Sequence, residues 1–313
     1  MTTFTDKSTV ERINLDGEIG VVNAARISFD KWKTELDASD LKLIKYLKDH
    51  NHRSPFFHPQ IICLFADRED VNELLLNEYD KDLFAGIEIC GEYVRFSMFS
   101  YEQLKDKLPR HAIISNPNNE ELNELIAEYG LKKATTIPYL SFRISCPFFV
   151  YMQLDRHRVG LAINMVSRRY VDTPPTFWKP KEDINGCFLW RKQSKNNKQA
   201  SIENEFIWEK SIYTKDFISR DAWYNDIIRE YVASWYQTNL KNRMCREQAR
   251  AILPLSTFTS FVWTGSLEDY ARIYIERVSP LAQIETKEVA LEIGKICEQE
   301  YHDAWKSLTS KID

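Results

Sequence analysis

Residues 137–170 constrain the fold of this chain more than any other segment. From 137 to 145 the residues alternate, with Leu140, Phe142 and Ile144 facing one way and Ser141, Arg143 and Ser145 the other. A period of two marks a strand with one face in a core. Ser145 or Cys146 then stands at a cap position and Pro147 in a first turn, a start signal for a helix. On such a helix Gln153, Arg156 and His157 fall at i, i+3 and i+4, so one helix face points its polar groups towards one site.

The segment 153–170, QLDRHRVGLAINMVSRRY, sets Arg156, Arg158, Arg168 and Arg169, with His157, against a single acid, Asp155. The whole chain has a formal net charge of −4. A basic cluster in an acidic chain is a focused anion site, not a general basic coat. Arginine supplies a planar fork of donors that matches phosphate or a developing oxyanion. Gln153, Asn164, Ser167 and Tyr170 add neutral hydrogen-bonding groups at close spacing. The competing reading is a solvated helix face laced with local salt bridges.

Composition narrows the rest. The 313 residues suit one large domain or two small ones. No run approaches the roughly 20 apolar residues that span a bilayer, and the polar, acidic start is no secretory signal. The six cysteines are scattered without a CxxC pair, so they read as reduced thiols of a cytoplasmic protein. His50, His52 and His58 invite a metal, but no carboxylate or cysteine stands beside them at ligand spacing, and none is expected. With no basic stripe, nucleic acid is not an expected partner.

Along the chain, Ser39 is placed to cap a helix with an apolar stripe of Leu41, Leu43, Ile44 and Leu47, which Asn51 ends. Residues 59–65 read as a strand. Residues 66–136 are acidic and helical in pattern (EDVNELLLNEY, NEELNELIAEYG). Residues 190–201 read as a basic polar loop, and 202–244 as a long helical region framed by Trp208, Trp223, Ile227, Tyr231 and Trp235. An amphipathic helix with Ile284, Val289, Ile293 and Ile296 spans about 283–308.

Arg156-His157-Arg158, with Asn164, Ser167, Arg169 and Tyr170 downstream, resembles the RHR…S signature of the flavin-dependent thymidylate synthases. Residues 159–166 separate Arg158 from Ser167, one more than is usual there. The extra residue is expected to bulge at Gly160, which tolerates positive φ, and Met165 stands where the family has Glu. Four further blocks follow the family's order. Ala24-Ala25-Arg26 and Ser28 match its opening motif. His52, Ser54, Pro55, Phe56 and His58 match H-x-(S/T)-P-F-E-H, with Phe57 in place of Glu. Arg250 fits E-x-A-R-x-x-L-P-L. Arg277 and Ala282-Gln283-x-Glu285 fit L-R-x-x-x-H-A-Q-x-E, with Leu281 in place of His and Glu268 in place of a flavin-binding Arg that Arg272 could replace. Trp190, Arg191, Lys198, Gln199 and Ser201 echo a further family loop, with Ala200 in place of Gly.

The resemblance implies an α/β fold, a twisted and mostly antiparallel sheet with long helices, in a single domain over 1–313 with a helical insertion at about 66–136. It implies FAD-dependent methylation of dUMP to dTMP, with 5,10-methylenetetrahydrofolate as carbon donor and NADPH as reductant. It also implies a homotetramer with shared active sites. Carried over by position, Gln153, Arg158, Ser167, Arg169, Arg250 and Arg277 bind or polarise dUMP, Arg277 and Ser167 being catalytic. Ser28, His52, Ser54, Arg156, His157 and Arg158 hold FAD. The chemistry agrees: C5 substitution develops charge on the pyrimidine carbonyls, which fixed cations stabilise, while the flavin carries the redox step. A related pyrimidine C5-modifying enzyme, such as a dUMP hydroxymethylase, and a nucleotide- or RNA-binding homologue without flavin remain as alternatives.

Overall fold

A computed structural model describes residues 2–76, 87–184, 189–195, 198, 201–206 and 220–310. Strands β1 (Thr3–Thr5) and β2 (Thr9–Ile13) lead into helix α1 (Gly17–Arg26), extended by a 3₁₀ turn at Ile27–Phe29. Helix α2 (Ala38–Asp49) is capped by Asp37, not by Ser39 as expected. Asp37 accepts from the amides of Ser39 and Asp40, and Asp40 returns the bond to the Asp37 amide. That reciprocal pair satisfies more orphan donors than a lone serine could. Asn51, with φ 57°, turns the chain away after the helix.

Strand β3 (Gln60–Phe65) forms where a strand was expected. The stretch 66–136 then holds α3 (Arg68–Leu76), β4 (Glu88–Cys90), β5 (Tyr93–Ser97), α4 (Met98–Leu104), β6 (His111–Ile114), α5 (Asn119–Tyr129) and α6 (Leu131–Ala134). Helices α3 and α5 fall on the two segments read as acidic and helical, α3 as far as Leu76. The strands correct the purely helical reading: an antiparallel sheet runs in the order β4-β5-β3-β6. Its alternation is hidden because β5 is buried on both faces, Val94 and Phe96 fully and Arg95 to 3% exposure. Residues 77–86 lie outside the described residues.

The main sheet is built on β7 (Tyr139–Pro147), which passes into α7 (Phe148–Leu154) and then β8 (Ala162–Met165). The strand starts and ends two residues later than its alternation suggested. Asn116 fixes the start by bonding both the amide and the carbonyl of Tyr139, and Pro147 becomes the helix N-cap instead of a first-turn residue. Next come β9 (Thr176–Trp178), which pairs parallel with β1, and the antiparallel pair β10 (Arg191–Gln193) and β11 (Ser201–Phe206). Of the stretch read as a loop, Arg191–Gln193 and Ser201 are strand, and 202–206 is strand, not helix. Lys198 is described, whereas Gln199, Ala200 and Trp208 lie outside the described residues.

Helix α8 (Arg220–Lys241) follows, then α9 (Arg246–Ala249), β12 (Phe258–Ser266), α10 (Leu267–Arg277), α11 (Ile284–Glu300) and α12 (His302–Thr309). The inner face of α8 is Arg229, Ala233 and Tyr236, while Tyr231 and Trp235 are exposed at 67% and 50%. The two aromatics expected to frame the helix stack on each other outside, at 6.3 Å. Polar anchors decide the face: Arg229 donates to the carbonyl of Trp178, and the Tyr236 hydroxyl lies 3.5 Å from that of Val171. The side chains of Trp223 and Ile227 lie outside the described residues. The C-terminal helix breaks at Tyr301 (φ −138°, ψ 56°), whose buried hydroxyl donates to the Pro117 carbonyl.

The main sheet has the order β2-β7-β12-β8, antiparallel throughout. Tyr270 of α10 packs on Phe142 of β7 and Trp263 of β12, all three without exposure, with ring centroids 4.9 Å apart for Phe142–Tyr270 and 5.8 Å for Trp263–Tyr270. The fold is thus α/β with antiparallel sheets and long helices, as the resemblance implied. Phe142→Ala should destabilise the protein by about 3–5 kcal/mol, whereas Tyr231→Ala should change stability by about 0.5 kcal/mol or less. Urea unfolding of both variants checks that α8 faces the core as described.

Candidate active site

Helix α7 ends at Leu154, so Arg156 and His157 do not continue its face as the spacing suggested. Arg158 is the physical reason. Its Nε donates to the Asp155 carbonyl at 2.7 Å and its guanidinium pairs with the Asp155 carboxylate, which also accepts from the Tyr151 hydroxyl. A cation folded over a helix C-terminus satisfies orphan carbonyls and opposes the helix dipole. The chain then turns, Arg156 is left exposed, and the His157 side chain points inward with 8% exposure.

There His157 meets Arg277, the last residue of α10. Arg277 Nε donates to His157 Nε2 at 2.9 Å, and a second arm donates to the Gln153 carbonyl at 3.0 Å. An acceptor at Nε2 puts the ring proton on Nδ1. Burial, then the Arg277 charge, holds the His157 pKa below the usual histidine range. Gln153 also starts a relay. Its amide donates to Gln283, Gln283 donates to Glu285 at 2.9 Å, and Glu285 pairs with Arg191, which donates to Ser201 at 3.0 Å. The structure thereby joins three sequence blocks that are far apart in the chain.

The turn after Arg158 is clamped from α10. Gly160 has φ 76°, as its role in the bulge required, and a Cβ there would lie 2.4 Å from the Asp269 carboxylate. Asp269 accepts from the Ser266 amide at 3.0 Å, its hydroxyl at 2.7 Å, and Arg272 at 2.7 Å. Arg272 donates in turn to the Val159 carbonyl at 2.9 Å. Arg272 is therefore committed to holding the turn.

On the other side of β8, the Ser167 amide donates to the Ser28 carbonyl at 3.0 Å, and Asn164 donates to that of Ala24 at 2.8 Å. Phe29 stacks on Tyr170 at 4.8 Å. Ser28 and Ser167 are thus neighbours. Arg169 and Arg250 are exposed, Arg169 lying 3.8 Å from Glu247. His52 is exposed too, edge-on to Tyr46 and His50. Within this one chain these three are not drawn into the Gln153–His157–Arg277 cluster by any contact among the described residues.

A cavity of about 320 Å³ opens between the two four-stranded sheets. Ser54 and Arg158 line it together with Phe57, Arg95, Ser97 and Thr264, and residues 160–163 form one wall. Arg95, Ser97 and Thr264 are functional candidates that the sequence reading missed. The one available signal was an arginine between Val94 and Phe96 in a stretch otherwise read as surface helix. Burial pushes the Cys63 and Cys90 thiols up to about 12 and about 11, and raises Cys146 and Cys297 as well. None of the four offers a thiolate at neutral pH. Among the described residues no group of three or more His, Cys, Asp or Glu is arranged to hold a metal, and no helix is long and apolar enough to cross a membrane. What the site can do is bind anions and polarise a carbonyl with fixed guanidinium groups.

A family model described as thymidylate synthase complementing protein matches residues 87–301, a match that begins inside the 66–136 stretch. The flavin-dependent thymidylate synthase of Aquifex aeolicus is 28% identical over 314 residues, covering 88% of this chain and 92% of that protein. That of Thermus thermophilus is 28% identical over 191 residues, which are 60% of this chain and 64% of the relative. The chain therefore spans just under two thirds of the Thermus protein's length. Among solved structures, a UMP/dUMP methylase PolB from Streptomyces cacaoi bound with 5-Br UMP aligns over 99% of this chain and 96% of its own, at 18% identity and a TM-score of 0.49.

Two outcomes follow from the clamps. NMR titration of His157 should find it neutral at pH 7 and protonating below the ordinary histidine range, with its pKa rising in Arg277→Gln. Since the depressed pKa belongs to the folded state, the stability linked to it is full above the ordinary histidine range and is lost as pH falls from there through the lowered folded-state value. Gly160→Ala should cost about 1–3 kcal/mol in chemical denaturation, because it combines positive φ with a collision at Asp269.

Proposed function

The chain belongs to the thymidylate synthase complementing protein family, and from that premise we propose that it is a flavin-dependent enzyme that methylates dUMP to dTMP. The observation that carries the reading is Arg277. Two of its donors are fixed on His157 and the Gln153 carbonyl, and among the described residues its Nη1 has no hydrogen-bond partner. A guanidinium anchored on two sides with a third arm free is placed to stabilise charge developing on a pyrimidine carbonyl. In this reading Gln153, Arg158, Ser167, Arg169 and Arg250 bind the nucleotide beside Arg277, and Ser167 and Arg277 are the catalytic residues.

The cavity supports the flavin half of the reading. It offers Ser54 and Arg158, a buried cation at Arg95 and an apolar wall with Phe57, a donor set that fits an anionic cofactor with an aromatic ring. FAD bound there would supply hydride chemistry, with 5,10-methylenetetrahydrofolate as carbon donor and NADPH as reductant. Ser28, His52, Arg156 and His157 are the further residues assigned to it. The exposure of His52, Arg156, Arg169 and Arg250 accords with a homotetramer whose sites are completed by neighbouring subunits. The reading takes residues 1–313 as one domain and the protein as cytoplasmic.

Incubated with FAD, dUMP, methylenetetrahydrofolate and NADPH, the protein should release dTMP detected by mass spectrometry. A hydroxymethylated product would replace the methylation reading with its C5-modifying relative. Unchanged dUMP with no flavin retained at millimolar FAD would leave only a nucleotide binder. Because Phe57, Glu268 and Leu281 stand where polar flavin partners are usual, FAD should be partly lost on purification and regained on addition. Arg277→Lys keeps the charge but loses the fork, so turnover should fall about tenfold or more while FAD retention holds. Unchanged turnover would make Arg277 a scaffold residue.

A further inference from the structure

Arg95, the buried cation of that cavity, is held without an ion-pair partner among the described residues. It lies on β5 with 3% exposure, opposite Ile62 of β3 and Glu88 of β4. Its Nε is buried without a hydrogen-bond partner, and among the described residues no carboxylate forms an ion pair with it within 4.0 Å. Glu88 and Asp269 attract its charge from farther away. Burial pushes the Glu88 carboxyl towards its neutral form, which weakens even that compensation. Burial also lowers the Arg95 pKa, but a guanidinium stays charged in proteins. An unpaired buried charge is strongly unfavourable, so the fold keeps Arg95 at a cost that its described neighbours do not offset.

The cavity explains the arrangement. Arg95 lines it from within and Arg158 lines it from the exposed turn. The same cavity is lined by Ser97 and Thr264, whose buried hydroxyls are bonded, the first to Ser100 at 2.9 Å and the second to Ser141 at 2.7 Å and to His58 at 2.9 Å. Phe57, Leu161 and Ile163 supply apolar surface. We propose that Arg95 is the inner anion-binding residue of this cavity and, with Arg158, grips the diphosphate of a bound dinucleotide cofactor. The assignment rests on the flavin reading above: two guanidinium forks on one cavity match two adjacent phosphate charges. A pure scaffold role would require a bonded partner, and Glu88, its neighbour across the ladder, is not within ion-pair distance.

The test uses the full chain as wild type, Arg95→Met and Arg95→Lys, with inorganic pyrophosphate, FAD and riboflavin as probes. Thermal melts should show pyrophosphate stabilising the wild type but not Arg95→Met. Without ligand, Arg95→Met should melt at or above the wild-type temperature, because it removes an uncompensated buried charge. By fluorescence titration, Arg95→Met should bind FAD about tenfold or more weakly and riboflavin, which has the ring and no phosphate, as the wild type does. Arg95→Lys, keeping charge without the fork, should fold and retain a reduced pyrophosphate response, which decides the matter should Arg95→Met not fold. A lower melt of unliganded Arg95→Met with a normal pyrophosphate response would overturn the inference in favour of a scaffold. So would an equal loss of riboflavin and FAD, or a wild type indifferent to pyrophosphate. A wild type that responds to pyrophosphate through Arg95 but ignores FAD would sustain the anion site and defeat the flavin reading.

Discussion

The ladder between β7 and β12 sets the geometry on which the site depends. Tyr139 pairs with Ser266 at one end and Pro147 with Phe258 at the other. Each strand passes directly into a helix, α7 after Pro147 and α10 after Ser266, from opposite ends of the same pair. Both helices fold back over the core that holds Phe142, Trp263 and Tyr270. At about 1.5 Å per residue the two helices together cover roughly 27 Å, close to the length of a nine-residue strand at about 3.3 Å per residue. Their C-termini therefore approach each other, and Arg277 reaches His157 and the Gln153 carbonyl.

Two helix C-termini in one place concentrate partial negative charge. Arg158 and Arg277, one at the end of each helix, offset it while remaining able to face a ligand. The cations of the site thus divide into two kinds. Arg158, Arg191, Arg272 and Arg277 are held by carboxylates, carbonyls or His157. Arg156 lies exposed on a turn, Arg250 lies exposed at the start of a 3₁₀ helix, and Arg169 is only loosely paired. Fixed cations pre-organise a field, and exposed ones need a ligand or a neighbouring surface to become fixed.

How much of this was legible in the sequence depended on whether a residue's environment is local. The β3 strand and the positive φ of Gly160 follow from nearby chemistry, and the structure contains them. The second sheet was missed because β5 is buried on both faces, so Arg95 breaks the alternation that would have announced a strand. The face of α8 was reversed because Tyr231 and Trp235 look like core by type, whereas the anchors that orient the helix, the carbonyls of Trp178 and Val171, come from distant backbone. The C-terminal end of α7 was misplaced because Arg158 caps the helix through its own side chain, a choice that periodicity does not register.

Asp269 shows how tightly these parts are coupled. One carboxylate, 5% exposed, closes the capping box that starts α10, holds Arg272 against the Val159 carbonyl and occupies the space a Gly160 side chain would need. Its charge also reaches Arg95 across the cavity. The start of α10, the turn after Arg158 and the cavity between the sheets therefore share one electrostatic centre. A change at Asp269 would act on all three at once, because removing one partner of a buried charge network leaves the others uncompensated. The turn that carries the RHR sequence owes its shape less to its own residues than to this buried acid, more than a hundred positions later in the chain.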